Sequence, residues 1–136
     1  KASVKFIQAF SKIGLIPDSG GTWMLPRLVG MQRAAAMAFF GEPVLASEAE
    51  AIGLIYKSVD DEVFDEEVAS IALRLASLPT YGIGLTKKAF NLGLESDLST
   101  HLTTERDLQM RASKSDDYAE GVAAFLEKRK PTFQGK

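Results

Sequence analysis

The sequence predicts a mainly helical fold with one or two short strands. Apolar residues recur every three or four positions through most of the second half of the chain, which is the spacing of an amphipathic helix. Only the segments 4–10 and 54–59 have the pattern of strands. Hydrophobic residues make up 46% of the 136 residues, which supplies a core and argues against wholesale disorder.

The N-terminal strand is predicted from the rough alternation of apolar and polar residues over 4–10. The second strand, 54–59, follows a short helix that Gly53 ends. Two isolated strands are marginal in water. We therefore expect the first strand to belong to a sheet supplied by residues outside this sequence.

A loop with fixed geometry is predicted between the first strand and the first helix, because proline and glycine lie close together there. Asp18, Ser19 and Thr22 are all residue types that cap helices, so each is a candidate N-cap for a helix beginning near Trp23. Pro26 and Gly30 are expected to interrupt that helix and keep it short.

The middle of the chain predicts two more helices. Residues 31–40 are apolar nearly all round, which is typical of a buried helix. Ser47 and Glu50 have the spacing of a capping box, which would open a short helix.

Four longer helices follow, and Pro79 separates the first from the second. Their predicted ranges are 62–77, 82–94, 97–112 and 116–130. The first has the clearest period, with Val68, Ile71 and Leu75 on one face.

Composition excludes several classes of function. Sixteen basic and 18 acidic residues give a net charge of −2, so a strongly basic nucleic-acid binder is excluded. The absence of cysteine excludes disulfides and thiolate zinc sites, and the single histidine, His101, excludes a multi-histidine metal site. No apolar run is long enough to suggest a membrane span. We expect a cytoplasmic protein with no metal and no separate cofactor.

The stretch from Gly14 to Gly30, GLIPDSGGTWMLPRLVG, resembles the crotonase superfamily, the enoyl-CoA hydratase/isomerase family. Later segments agree in order: Ala46–Ala49, Ala51–Ile55, Leu85–Lys88 and Glu120–Pro131. The Pro17–Trp23 segment is especially similar to the isomerases of the phenylacetate degradation pathway.

The resemblance implies an α/β parent fold, the ββα spiral, of which this chain would be the mainly helical C-terminal half. Residues 1–60 would then form the end of the spiral core with the active-site loop. Residues 61–136 would form a helical region that builds homotrimers, often paired into hexamers. The coenzyme A loops and the oxyanion-hole amides would lie before residue 1.

The resemblance also implies roles for individual residues. Asp18 occupies a position where isomerase relatives carry an acid, so it is the predicted catalytic acid/base, although an N-cap role remains open. Phe10 occupies the position of a catalytic glutamate of hydratases and cannot move a proton. The substrate would be an acyl-CoA thioester, and coenzyme A is part of that substrate.

Four residues are candidates for substrate binding. Lys128 matches a lysine that reaches the adenine or phosphate region of coenzyme A, although a cation also suits a helix C-terminus. Trp23 and Phe10 could line an apolar acyl pocket, and Gly20 could admit the substrate to the backbone; packing and turn formation are the alternatives. Three functions stay open: an isomerase, a hydratase, and a non-catalytic assembly module.

Overall fold

The computed structural model describes all residues, 1–136, and the chain divides into two compact units, Lys1–Val68 and Ala69–Lys136. The first unit contains β1 (Lys5–Phe6), a 3-10 helix (Ala9–Ile13), α1 (Gly21–Val29), α2 (Met31–Phe40), β2 (Val44–Leu45) and α3 (Ala46–Ala51). Helix α4 (Phe64–Ala76) begins in the first unit and ends in the second. The second unit continues with α5 (Thr80–Gly93), α6 (Leu98–Ala112) and α7 (Asp116–Glu127).

The core of the first unit lies where α1 and α2 pack together. Its buried members come from both helices, from β2 and from α3: Leu25, Val29, Ala34, Met37, Val44 and Ala49. Gly41 ends α2 in a left-handed conformation with φ of 59°. A Cβ at Gly41 would lie 3.0 Å from the carbonyl oxygen of Gln8, so the close approach of the two segments also favours glycine.

The first strand covers only Lys5–Phe6 and not the predicted 4–10, because Ala9–Ile13 form a 3-10 helix, and it pairs within the chain with β2. Lys5 pairs with Leu45 and Phe6 with Val44, in antiparallel register. The prediction of a strand at 54–59 was wrong. The amides of Leu54 and Ile55 both donate to the carbonyl of Ala49, at 2.8 and 3.3 Å, so this backbone closes the end of α3.

Two local predictions about the short helices also need correction. Pro26 does not interrupt α1, because Gly30 N–H still donates to the Pro26 carbonyl at 3.0 Å, whereas Gly30 ends the helix as predicted. The predicted capping box is absent, since Ser47 already lies inside α3 and the carboxylate of Glu50 accepts from Ser58 N–H at 2.7 Å.

The composition of α2 predicted a helix that is buried on all sides, and this prediction was wrong. Ala34 and Met37 are buried, but Phe39 and Phe40 are exposed. Apolar composition alone therefore did not locate the packed face of this helix.

The four longer helices are confirmed as α4 to α7, with small shifts at their ends. Asp97 caps α6 by accepting from Thr100 N–H, and Ser115 caps α7 by accepting from Tyr118 N–H, both at 3.0 Å. Helix α7 ends at Glu127, before the predicted residue 130, because Lys128 turns into the left-handed region.

Helices α5 and α6 pack against each other, and His101 lies at one end of that contact. Its ring packs on Gly93, and its Nε2 lies 3.6 Å from Glu105 Oε1. No single helix of the chain combines the length and the hydropathy needed to cross a membrane; only the sharply bent pair of α4 and α5 reaches them together.

Candidate functional site

The loop that carries Asp18 leads directly into α1. The carbonyl of Asp18 accepts from Gly21 N–H at 2.7 Å, which closes a tight turn. Ser19 and Gly20 both have positive φ, 50° and 82°. Two successive left-handed residues fix the direction in which the chain enters the helix, and at Ser19 this conformation is strained for a residue with a Cβ.

The carboxylate of Asp18 is exposed and makes no hydrogen bond or ion pair within the chain. The N-cap of α1 is Gly20, and no side chain caps that helix. The predictions that Asp18, Ser19 or Thr22 would cap α1 are therefore wrong. Because the turn is closed by backbone atoms, the Asp18 carboxylate is left without a structural partner.

Gly20 is required by its backbone conformation and not by close packing. A Cβ added there would meet no atom within 4 Å, so the space beside it is open. At the next residue, Gly21, a Cβ would lie 3.2 Å from the Cβ of Pro17. The pair thus combines an open backbone position with a tight one.

Phe10 lies in the 3-10 helix before the loop and is half-buried. Its carbonyl accepts from Leu15 N–H at 3.0 Å, which turns the chain toward Pro17. The aromatic ring offers apolar surface and has no group that transfers a proton.

Trp23 lies in the first turn of α1 and is held by Arg27, one turn further on. The guanidinium carbon of Arg27 is 3.8 Å from the centre of the indole ring, and Arg27 Nη1 donates to the Trp23 carbonyl at 2.8 Å. A cation over the face of an indole is a favourable arrangement. One face of the ring is thereby occupied, which was not predicted from the sequence.

A small cavity of about 160 Å³ lies between α1 and α2, beside the Asp18 loop. Its lining is almost wholly apolar and includes Pro17, Gly21, Leu25 and Phe39. A cavity of about 490 Å³ lies between α5 and α6 and is lined by none of the predicted site residues.

Lys128 ends α7 in the left-handed conformation, with φ of 55° and ψ of 35°. Glycine is the usual residue at such a position, because a Cβ is disfavoured there. The side chain of Lys128 is exposed, and its ammonium group has no hydrogen-bond or ion-pair partner in the chain.

The residues around Lys128 are held by a dense polar network centred on Arg129. Its Nη1 and Nη2 donate to Glu120 Oε1 and Oε2 at 2.6 and 2.8 Å. Its Nε donates to a carboxylate oxygen of Glu127 at 2.6 Å. All three guanidinium nitrogens of Arg129 are therefore engaged with carboxylates of α7.

The Glu120 carboxylate accepts one further bond, from the amide of Thr132 at 2.7 Å. These bonds to the charged form hold the pKa of Glu120 at about 2, with the Arg129 side chain as the largest cause. The same pairing raises the pKa of Arg129. The pair is thus charged throughout the ordinary pH range.

The C-terminal tail is attached to α7 through a second carboxylate. Asp117 is only 4% exposed, and its two oxygens accept from the amides of Gln134 and Gly135 at 2.6 and 2.9 Å. The amide of Asp117 donates to the carbonyl of Lys136 at 3.0 Å. The tail is thereby fixed to the start of α7.

The predicted site residues fall into two groups. Asp18, Gly20 and Trp23 lie together at the start of α1, and Phe10 precedes them in the same unit. Lys128 belongs to the second unit.

Four organising residues were not predicted from the sequence: Arg27, Asp117, Glu120 and Arg129. Of their contacts, only that between Trp23 and Arg27 could have been predicted, because the two residues are four positions apart and so are neighbours on one face of a helix. The other contacts reach residues beyond the end of α7, where helical spacing does not apply.

This fold and loop place the chain in a known class. A family model described as Enoyl-CoA hydratase/isomerase matches residues 1–136, so the chain belongs to that family. The predicted resemblance to the crotonase superfamily is confirmed, as is the mainly helical fold with a small sheet.

Two curated relatives show which activities occur among similar proteins. The chain is 49% identical over 134 residues to the 1,2-epoxyphenylacetyl-CoA isomerase of Escherichia coli K12, a match that covers 98% of the chain and 51% of that protein. It is 37% identical over 135 residues to the crotonyl-CoA hydratase of Syntrophomonas wolfei, covering 99% of the chain and 52% of that protein. The chain spans about half the length of these curated relatives.

A solved structure agrees with the fold. The enoyl-CoA hydratase from Bacillus anthracis superimposes with a TM-score of 0.92 at 32% sequence identity. The match covers 99% of this chain and 52% of that one. The relatives therefore include both isomerases and hydratases.

Proposed function

We propose that the complete protein is an acyl-CoA isomerase in which Asp18 is the acid/base. The observation that carries this proposal is the state of the Asp18 carboxylate, which is exposed and unpaired in a loop closed by backbone atoms. A carboxylate that stabilised the loop would accept a hydrogen bond from it. The 49% identity to an isomerase supports the same assignment.

The chemistry needs one mobile proton. To shift a double bond in an enoyl thioester, a base removes a proton from one carbon and returns it to another, and a single carboxylate can perform both steps. The negative charge that develops on the thioester oxygen requires hydrogen-bond donors. In this proposal those donors are backbone amides outside the present chain. A ring epoxide on an acyl-CoA is the other proposed substrate, and for its opening Asp18 is proposed as a base, an acid or a stabiliser of charge.

A hydratase is the second candidate, because one of the relatives is a crotonyl-CoA hydratase. Water addition requires a group that activates water as well as one that protonates carbon. Phe10 cannot supply either function. This absence of a proton-transferring group at position 10 favours the isomerase.

The surroundings of Asp18 favour an apolar acyl group. Leu15, Ile16 and Met24 are exposed, and the cavity beside the loop is apolar. Trp23 is 36% exposed and adds aromatic surface, which suits an aromatic acyl group.

Lys128 is assigned to the coenzyme A part of the substrate. Its ammonium group is unpaired, and an ammonium binds a phosphate as a point charge. A non-catalytic assembly module would need no such group and no unpaired Asp18.

Assembly into homotrimers or hexamers forms part of the proposal. Phe125 and Leu126 are 83% and 73% exposed on α7, and contact with further copies or with the rest of the complete protein would bury them. Native mass spectrometry of the complete protein tests this directly: a mass of three or six subunits is expected, and a monomer would contradict it.

The enzymatic proposal is tested by product analysis with the Asp18→Asn variant of the complete protein. The parent should convert an enoyl-CoA or ring-epoxide substrate to an isomer of unchanged mass. We expect the variant to lose roughly 100-fold or more in turnover while it still binds the CoA ester, because the amide cannot exchange the proton. A 3-hydroxyacyl-CoA product, heavier than the substrate by one water molecule, would favour the hydratase.

A further inference from the structure

Lys128 is held in a conformation that its own side chain disfavours. A lysine in the left-handed region carries a strain that a glycine would avoid. Residues that keep such strain do so because the surrounding structure fixes them. At the end of α7, Arg129 N–H donates to the carbonyl of Ala124 at 3.0 Å, which fixes the backbone immediately after Lys128.

One carboxylate holds the chain beyond Lys128. Glu120 accepts both terminal nitrogens of Arg129 and the amide of Thr132. Two-point pairing between a guanidinium and a carboxylate restricts direction as well as distance. The residues at 129 and 132 are therefore tied to the same point on α7, while the Lys128 ammonium remains unpaired.

We propose that Glu120 is a positioning residue, which acts through Arg129 to present the Lys128 ammonium to a phosphate group of the CoA ester. This inference rests on the proposed function, since it assumes that Lys128 binds the nucleotide part of the substrate. Glu120 itself makes no contact with the phosphate in this proposal. Glu120 restricts Lys128 before the substrate binds, and so reduces the conformational entropy that Lys128 loses on binding.

The proposal predicts the sign of a substitution. Direct electrostatics alone predicts that Glu120→Gln tightens binding, because it removes a negative charge near a phosphate. Positioning predicts the reverse, a loss of affinity for the CoA ester of about 2- to 10-fold, which is the lower part of the range of coupling between residues in one network. The two mechanisms are thus separated by the direction of the change.

The experiment measures the dissociation constants of a CoA ester and of a short thioester without the nucleotide, in the complete protein. Glu120→Gln should weaken binding of the CoA ester and leave the short thioester unchanged. In a Lys128→Ala background it should have no further effect. Glu66→Gln, which makes the same charge change at an exposed residue in the first turn of α4, should leave both constants unchanged.

Each other outcome has a defined meaning. Tighter or unchanged binding by Glu120→Gln overturns the positioning role. Unchanged binding by Lys128→Ala overturns instead the assignment of Lys128 in the proposed function. If Glu120→Gln fails to fold, Arg129→Lys replaces it, because lysine keeps the charge and cannot make the two-point pair. A CoA-ester affinity equal to the parent's in Arg129→Lys would likewise overturn the positioning role.

Discussion

Asp18 and Asp117 are the same residue type near the start of a helix, and their surroundings are opposite. Asp117 is buried at the beginning of α7, and both of its oxygens accept backbone amides from the tail. Asp18 is exposed before α1, and its side chain accepts nothing. The comparison teaches that hydrogen-bond partners, and not residue type or distance from a helix, separate a structural carboxylate from one available for chemistry.

The largest effect on stability is expected at Asp117. Asp117→Asn should lower the free energy of unfolding by about 2 kcal/mol. The substitution replaces one acceptor oxygen by an NH₂ group, so one of the two tail amides, of Gln134 or Gly135, loses its acceptor and faces a second donor. Urea denaturation measures the change. Asp116→Asn is the matched control, since Asp116 is adjacent and exposed. Equal stability of the two variants would show that Asp117 does not hold the tail.

A smaller effect of opposite sign is expected at Lys128. Lys128→Gly should raise the free energy of unfolding by about 0.5 kcal/mol, because relief of the left-handed strain exceeds the added flexibility of the unfolded chain. The same variant should bind the CoA ester less tightly. Gains in both stability and affinity would contradict the role of this lysine.

The network around Glu120 predicts an acid-dependent loss of stability. The pKa of Glu120 is about 2 in the folded chain, against an ordinary value of 4.5. Its contribution is therefore present above pH 4.5 and is lost as the pH falls from about 4.5 to 2, because the unfolded chain takes up the proton first. Thermal melts over this range should show a shallower fall for Glu120→Gln than for the parent.

The smallest change in stability is expected at Asp18. Asp18→Asn removes a charge that has no partner, so the free energy of unfolding should change by less than about 0.5 kcal/mol. Thermal melts should therefore overlay even where turnover is lost. A marked fall in the melting temperature would assign a structural role to Asp18 and would break the contrast with Asp117.

The longer helices could be predicted from the sequence because each carries a continuous period of apolar residues. The strand prediction at 54–59 failed because the Ala49 carbonyl captures two amides there, a contact that composition does not record. The start of α1 was also predicted wrongly, because the contacts that form it are made by the backbone. Residue preference favoured a side-chain cap, whereas two left-handed residues close the turn through the backbone.

The candidate site was only partly accessible to sequence reasoning. Asp18 and Lys128 were predicted from the family resemblance, and their roles stay predictions. The bonds from Arg129 to Glu120 and from Gly135 to Asp117 join residues 9 and 18 positions apart, and nothing in the local sequence pattern marks either pair.

The stacking of Arg27 on Trp23 has a practical consequence for experiments. Trp23 is the single tryptophan of the chain and follows closely after Asp18. Indole fluorescence from this chain therefore comes from one position at the start of α1. A ligand that contacts the exposed part of the ring would alter the emission, so ligand entry can be followed in real time without an attached dye.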